Sequence, residues 1–151
     1  MGIPRDRLSA RALAAVEAAE RGDRATRVVP DDHVWEMTLP YPPTVNTYYR
    51  NVSGKTLISK RGRAYRKTVS SMVARSGMVP MRGLLMIDIA VFLPDKRRRD
   101  LDNLLKSLAD SLQHGGVYED DTQIRDWHIY DAGMDRPEGH VIVRLKRWAV
   151  T

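Results

Sequence analysis

Between residues 101 and 112 the leucines fall at positions 101, 104, 105, 108 and 112. Steps of three and four are the period of a helix with one buried stripe. Asp100 stands where the N-cap of this helix belongs, and Gly115-Gly116 ends it. A second helix is predicted from a cap at Ser59 to about Ser76, with Tyr65, Val69, Met72, Val73 and Ser76 inward. Gly77 stops it and Pro80 prevents its resuming. Leu84–Leu93 alternates instead. Leu85, Ile87, Ile89, Val91 and Leu93 lie on one side and Leu84, Met86, Ala90 and Phe92 on the other, with Asp88 the one interruption. A strand apolar on nearly both faces belongs at the centre of a sheet.

Shorter strands flank these elements. Val34–Leu39 ends at Pro40, Leu57-Ile58 pairs briefly, and Asn51–Thr56 with Gly54 reads as a turn. Thr122–Asp131 places Trp127 and Ile129 on one face and Asp126, His128 and Tyr130 on the other, where His128 is a surface residue. His140–Arg147 points Val141, Val143 and Leu145 inward. The last two strands read as a hairpin closed by a long turn, Gly133–Gly139. The order predicts an α+β domain, residues 34–151, with one mixed β-sheet packed by helices. Ahead of it, residues 1–33 form an extension. It holds a helix at about residues 9–21, capped by Ser9, and a charged linker, and it has no catalytic role.

Composition narrows the function classes. No run of eighteen apolar residues occurs, so no segment reads as a membrane-spanning helix. Cysteine is absent, which removes disulfides and thiolate metal sites and fits a cytoplasmic protein. The net charge is +6. The first 33 residues hold six Arg and six acids, so the whole excess lies in residues 34–151. Such a surface suits a polyanion, most simply nucleic acid.

The candidate chemistry sits at the start of the leucine helix. Arg97-Arg98-Arg99 runs into Asp100-Leu101-Asp102, Lys106 follows one turn on, and Glu119-Asp120-Asp121 comes after the glycine break. Aspartates also cap helices, and arginine runs are often only solvated. Acids set among bases, however, suit a hard divalent cation that must also meet a phosphodiester: Asp100, Asp102 and one carboxylate of the second cluster supply oxygen ligands. Lys60, Arg61, Arg63, Arg66 and Lys67 crowd the first turns of the second helix, where an N-terminus already attracts anions. Asn46, Tyr48, Tyr49 and Arg50 offer groups that contact phosphate or stack on unpaired bases.

Three blocks in order resemble the RusA family of Holliday-junction resolvases. They are Leu39–Arg50 (LPYPPTVNTYYR), Ser59–Arg66 (SKRGRAYR), and Pro94–Lys106 (PDKRRRDLDNLLK) with Gly116–Ile124 (GVYEDDTQI). The likeness covers about residues 34 to 148, and Asp-Leu-Asp-Asn-Leu is its most specific part. It implies an endonuclease that hydrolyses phosphodiester bonds, with Asp100, Asp102, Lys106 and Asp121 as catalytic positions. The three aspartates would be metal ligands, Asp120 being the second choice for the last. Arg97, Arg98 and Arg99 would hold flanking phosphates. The resemblance further implies magnesium, with manganese as the alternative, a homodimer on four-way DNA, paired symmetric cuts in recombination and repair, and a phage or prophage setting. Competing readings are a nuclease for flaps or forks, a basic DNA-binding protein without catalysis, and a small-molecule phosphohydrolase.

Overall fold

The computed structural model describes residues 34–148; the helix expected at about residues 9–21 lies outside them. Strand β1 is Val34–Pro40, and one helical turn, α1, follows at Val45–Tyr48. β2 (Tyr49–Val52) and β3 (Lys55–Ile58) form a tight hairpin, and α2 is Lys60–Ser76. β4 is Leu85–Leu93. A 3₁₀ turn, Leu101–Leu104, leads into α3, Leu105–His114. A second 3₁₀ turn, Asp121–Gln123, precedes β5 (Ile124–Met134), and β6 is His140–Arg147.

Local chemistry explains most of these boundaries. The Ser59 side chain accepts the Gly62 amide proton, and Gly77 closes α2 with a left-handed φ of 68°. Ser53 and Gly54 both have positive φ, as a two-residue hairpin turn requires. The turn expected across Asn51–Thr56 is therefore only those two residues, and its flanks are strand. Asp100 does occupy the cap position, but its side chain makes no capping bond.

The main sheet has the order β1-β6-β4-β5. β4 pairs parallel with β5 and antiparallel with β6, and β6 pairs antiparallel with β1. The sheet is mixed, as expected, with the β2–β3 hairpin as a separate two-stranded piece. The expected β5–β6 hairpin is not formed. β4 lies between those strands, because an apolar central strand needs a partner on each edge and the chain supplies β5 by crossing over through α3. Leu85, Ile87, Ile89 and Val91 share one face with Val141, Val143, Leu145, Trp35 and Leu39, all buried. Tyr65, Val69 and Val73 of α2, and Leu108 and Leu112 of α3 with Leu104 just ahead of it, complete this core. Ser76, expected inward, is exposed. The opposite sheet face carries Glu36, Arg144, Asp88 and His128 in one row across the strands.

Candidate active site

β4 and β5 run parallel, so the end of one and the start of the other lie at opposite ends of the sheet. The Pro94–Lys106 block follows the end of β4, and the acidic loop precedes the start of β5. Helix α3 spans the distance between them.

At its leading end, Asp100 and Asp102 are exposed. Neither side chain makes a hydrogen bond or ion pair with another described residue. Asp95 pins the arginine run behind them. Its carboxylate takes Arg99 Nη2 at 2.7 Å and the Arg97 amide at 2.9 Å. These bonds hold Asp95 below the usual carboxylate range, the Arg99 bond most of all. The Arg99 guanidinium also lies 5.7 Å from the centre of the Tyr41 ring. Arg98 is exposed, and Arg97 is 83% exposed with its Nε 3.9 Å from Asp95.

Lys106, one turn on, is exposed, and its Nζ lies 5.3 Å from the centre of the Tyr49 ring, within reach of a cation–π attraction. Beneath Tyr49 is a network that residue spacing alone did not suggest. Tyr48 is wholly buried and donates its hydroxyl proton to Asp110. Arg66 Nε donates to Tyr48 Oη at 2.7 Å and to Asp110 Oδ2 at 2.9 Å, and its Nη2 reaches Asp110 at 2.6 Å. Burial, and then donation to Asp110, push the Tyr48 phenol up to about 12. Tyr48 therefore cannot stack on a base, and Arg66 is tied to Asp110 at the flank of α3. Tyr49 is also raised, by burial first and then by the charge of Asp110, with Asp121 adding to it.

The acidic loop lies at the other end of α3. Glu119 is exposed, and Asp120 and Asp121 are half-buried. Asp120 caps the following 3₁₀ turn by accepting the Thr122 amide at 2.9 Å, in a capping box with Gln123. The Asp121 amide donates to Gln113 Oε1 at 2.9 Å. Gln113 stands eleven residues beyond Asp102, about 16 Å along a helix axis. The structure thus holds the Asp121 backbone against the last turn of α3, while Asp100 and Asp102 precede its first.

Among the described residues no three His, Asp or Glu side chains gather to hold a metal ion. Magnesium does not need a closed protein cage. It takes one or two carboxylates, keeps several waters and completes its shell with phosphate oxygens. Asp100 and Asp102 fit that requirement, being exposed hard oxygen donors with no competing bond among the described residues.

The remaining basic candidates lie on the surface of α2, α1 and β2. Lys60, Arg61, Arg63 and Lys67 are exposed on α2, and Arg63 Nη1 bonds the Ile58 carbonyl at 2.8 Å. Asn46 and Arg50 are exposed on α1 and β2. A cleft of about 530 Å³ is lined by Thr44, Thr47, Arg61, Tyr65, Arg99 and Glu138, among others. His128 is exposed, with its Nε2 3.0 Å from Asp126.

The family model for endodeoxyribonuclease RusA matches residues 40–146. The crossover junction endodeoxyribonuclease of Enterobacteria phage HK97 is 38% identical over 112 residues, 74% of this chain and 92% of that protein. The enzyme of the same name from Escherichia coli strain K12 is 41% identical over 100 residues, covering 64% of this chain and 82% of that protein. The one from Enterobacteria phage 82 is 42% identical over 100 residues, again 64% and 82%. All the site residues discussed here fall inside the matched span, and this chain belongs to the RusA family of endodeoxyribonucleases.

Proposed function

We propose that this protein is a magnesium-dependent endonuclease that resolves Holliday junctions by paired, symmetric phosphodiester hydrolysis. The observation that carries the reading is the pair Asp100 and Asp102. Within a matched family span, two exposed carboxylates lack any side-chain bond to the rest of the described chain, while the neighbouring Asp95 and Asp110 are both tied down. Idle acids directly after an arginine run are poorly explained as helix caps.

Hydrolysis forms a bond from water oxygen to phosphorus as the bond to the leaving oxygen breaks, and the water proton is lost to solvent. A bound divalent cation would polarise the phosphoryl oxygen and lower the pKa of water. Asp100 and Asp102 are the residues that would hold it, and Asp121 is the third acid. Lys106 offsets the charge that grows on the scissile phosphate, held near it by the face of Tyr49. Arg97, Arg98 and Arg99, with Lys60, Arg61, Arg63, Asn46 and Arg50, contact flanking phosphates. Phosphate contacts of this kind position a protein without reading sequence.

The protein acts as a homodimer. A two-fold pair presents each site twice about an axis that a four-way junction shares. Residues 1–33 are an appendage to the nuclease domain.

The test is cleavage of a labelled four-way junction beside a flap, a fork and linear duplex, with magnesium and with chelator. Magnesium-dependent cuts in the junction, paired across it, are expected. Preferred cutting of flaps or forks would move the protein to another branched substrate. Binding without cutting, in magnesium or manganese, would make it a DNA-binding protein.

A further inference from the structure

Three consecutive amides of the acidic loop are held by two neutral side-chain amides. Gln123 Oε1 accepts from Glu119 N at 2.9 Å and from Asp120 N at 3.0 Å. Gln113 Oε1 accepts from Asp121 N at 2.9 Å. The Gln123 NH₂ group donates to the carbonyls of Met81, at 3.2 Å, and Gly83, at 3.0 Å. All four hydrogen-bonding positions of this buried amide are thus used. It clamps the loop to the segment that opens β4, and Gln113 clamps it to the last turn of α3.

Three adjacent acids repel one another, and a loop carrying them resists any single conformation. Glutamine oxygens accept its amides without adding to that negative charge. The Gln113 bond falls on the backbone of Asp121 itself, so it limits where that carboxylate can point. Asp121 is the loop acid that the motif marks for the site.

We propose that Gln113 and Gln123 are positioning residues that hold the acidic loop in the conformation from which Asp121 serves the active site. This rests on the resolvase reading above. Groups that orient a metal ligand typically change metal affinity or activity by about 10–100-fold when removed.

The experiment uses the full chain with Gln113→Met, which removes the acceptor at similar length, Gln113→Asn, which keeps a neutral acceptor oxygen, and Gln113→Glu, which keeps an acceptor oxygen but adds a negative charge. Three quantities are measured: the magnesium midpoint for junction cleavage, junction affinity in chelator, and the rise in Tm on adding magnesium, which needs no cutting. Gln113→Met is expected to raise the midpoint about tenfold and to shrink the magnesium-induced rise in Tm, with junction affinity unchanged. Gln113→Asn, a neutral acceptor on a shorter arm, is expected to recover part of both, and Gln113→Glu, which adds a charge beside three acids, is expected to recover less. If Gln113→Met does not fold, Gln113→Ala removes the same acceptor without bulk and replaces it. A lower Tm with wild-type magnesium dependence would overturn the proposal and leave a purely structural clamp. Asp102→Asn, run in parallel, separates the two ideas. If it cuts with the wild-type midpoint, the site reading itself fails; if it is inactive while Gln113→Met is normal, only the clamp proposal fails.

Discussion

Asp102 and Asp110 lie eight residues apart, one in the 3₁₀ turn and the other in α3, and their surroundings give them different work. Asp110 takes bonds from Arg66 and Tyr48 and fastens α3 to α2 and α1. Among the described residues Asp102 has no such partner, and it is exposed. Sequence spacing could separate the two only by position, through the distance of Asp110 from the arginine run. Tyr48 and Tyr49 were harder still: adjacent in a run of polar and aromatic residues, one is wholly buried and the other faces Lys106. Nothing in a pair of tyrosines says which one the core takes. Lys106→Ala should lower kcat for junction cleavage about 10²-fold, the size seen on removing one group that stabilises developing charge. Junction affinity should stay within about threefold, since one phosphate contact among several contributes modestly. Single-turnover rates and gel-shift binding check both numbers. Loss of binding with an unchanged cutting rate would make Lys106 an anchor.

The elements were legible wherever a local rule decides them. Ser59, Gly77 and the alternation of β4 each act within a few residues, and each boundary falls within a residue or so of its expected place. The clamp residues were less visible, although the Asp-x-x-Gln spacing of Asp120 and Gln123 is itself a capping-box signal. Gly62 was invisible for a different reason. It sits inside α2, where glycine weakens a helix, yet a Cβ there would lie 2.5 Å from the Tyr48 carbonyl oxygen and 2.8 Å from Ile58 Cγ2. The contact is between elements, so no reading of α2 alone exposes it. Gly62→Ala should therefore destabilise the protein, by about 1–3 kcal/mol, although alanine is the better helix former by about 1 kcal/mol. Urea denaturation monitored by far-UV circular dichroism gives the sign, and a stabilised variant would contradict the packing argument.

At the scale of the whole molecule the sheet order decides where the chemistry lies. Sequential strands favour hairpins, and β5 and β6 were read as one on that ground. β4 takes both as partners instead, and the crossover through α3 then sends the two acidic clusters to opposite ends of that helix. Pairing across a sheet depends on which edges the core leaves open, a property of the assembled fold that the period of any one strand does not carry. The excess positive charge of residues 34–151, by contrast, was countable from the start, and two of its arginines, Arg61 and Arg99, line one cleft of the fold.

The central claim joins the carboxylates at the head of α3 to paired cutting of a junction. A supercoiled plasmid that extrudes a cruciform tests it in one measurement, with wild type and Asp102→Asn compared in magnesium. A single nick relaxes the plasmid and the cruciform is reabsorbed, so linear product requires both cuts within one complex. Wild type should give linear plasmid and Asp102→Asn none, although Asp102→Asn should still shift a four-way junction in a gel. Linear product from Asp102→Asn at the wild-type rate, or nicked circles alone from wild type, would contradict it.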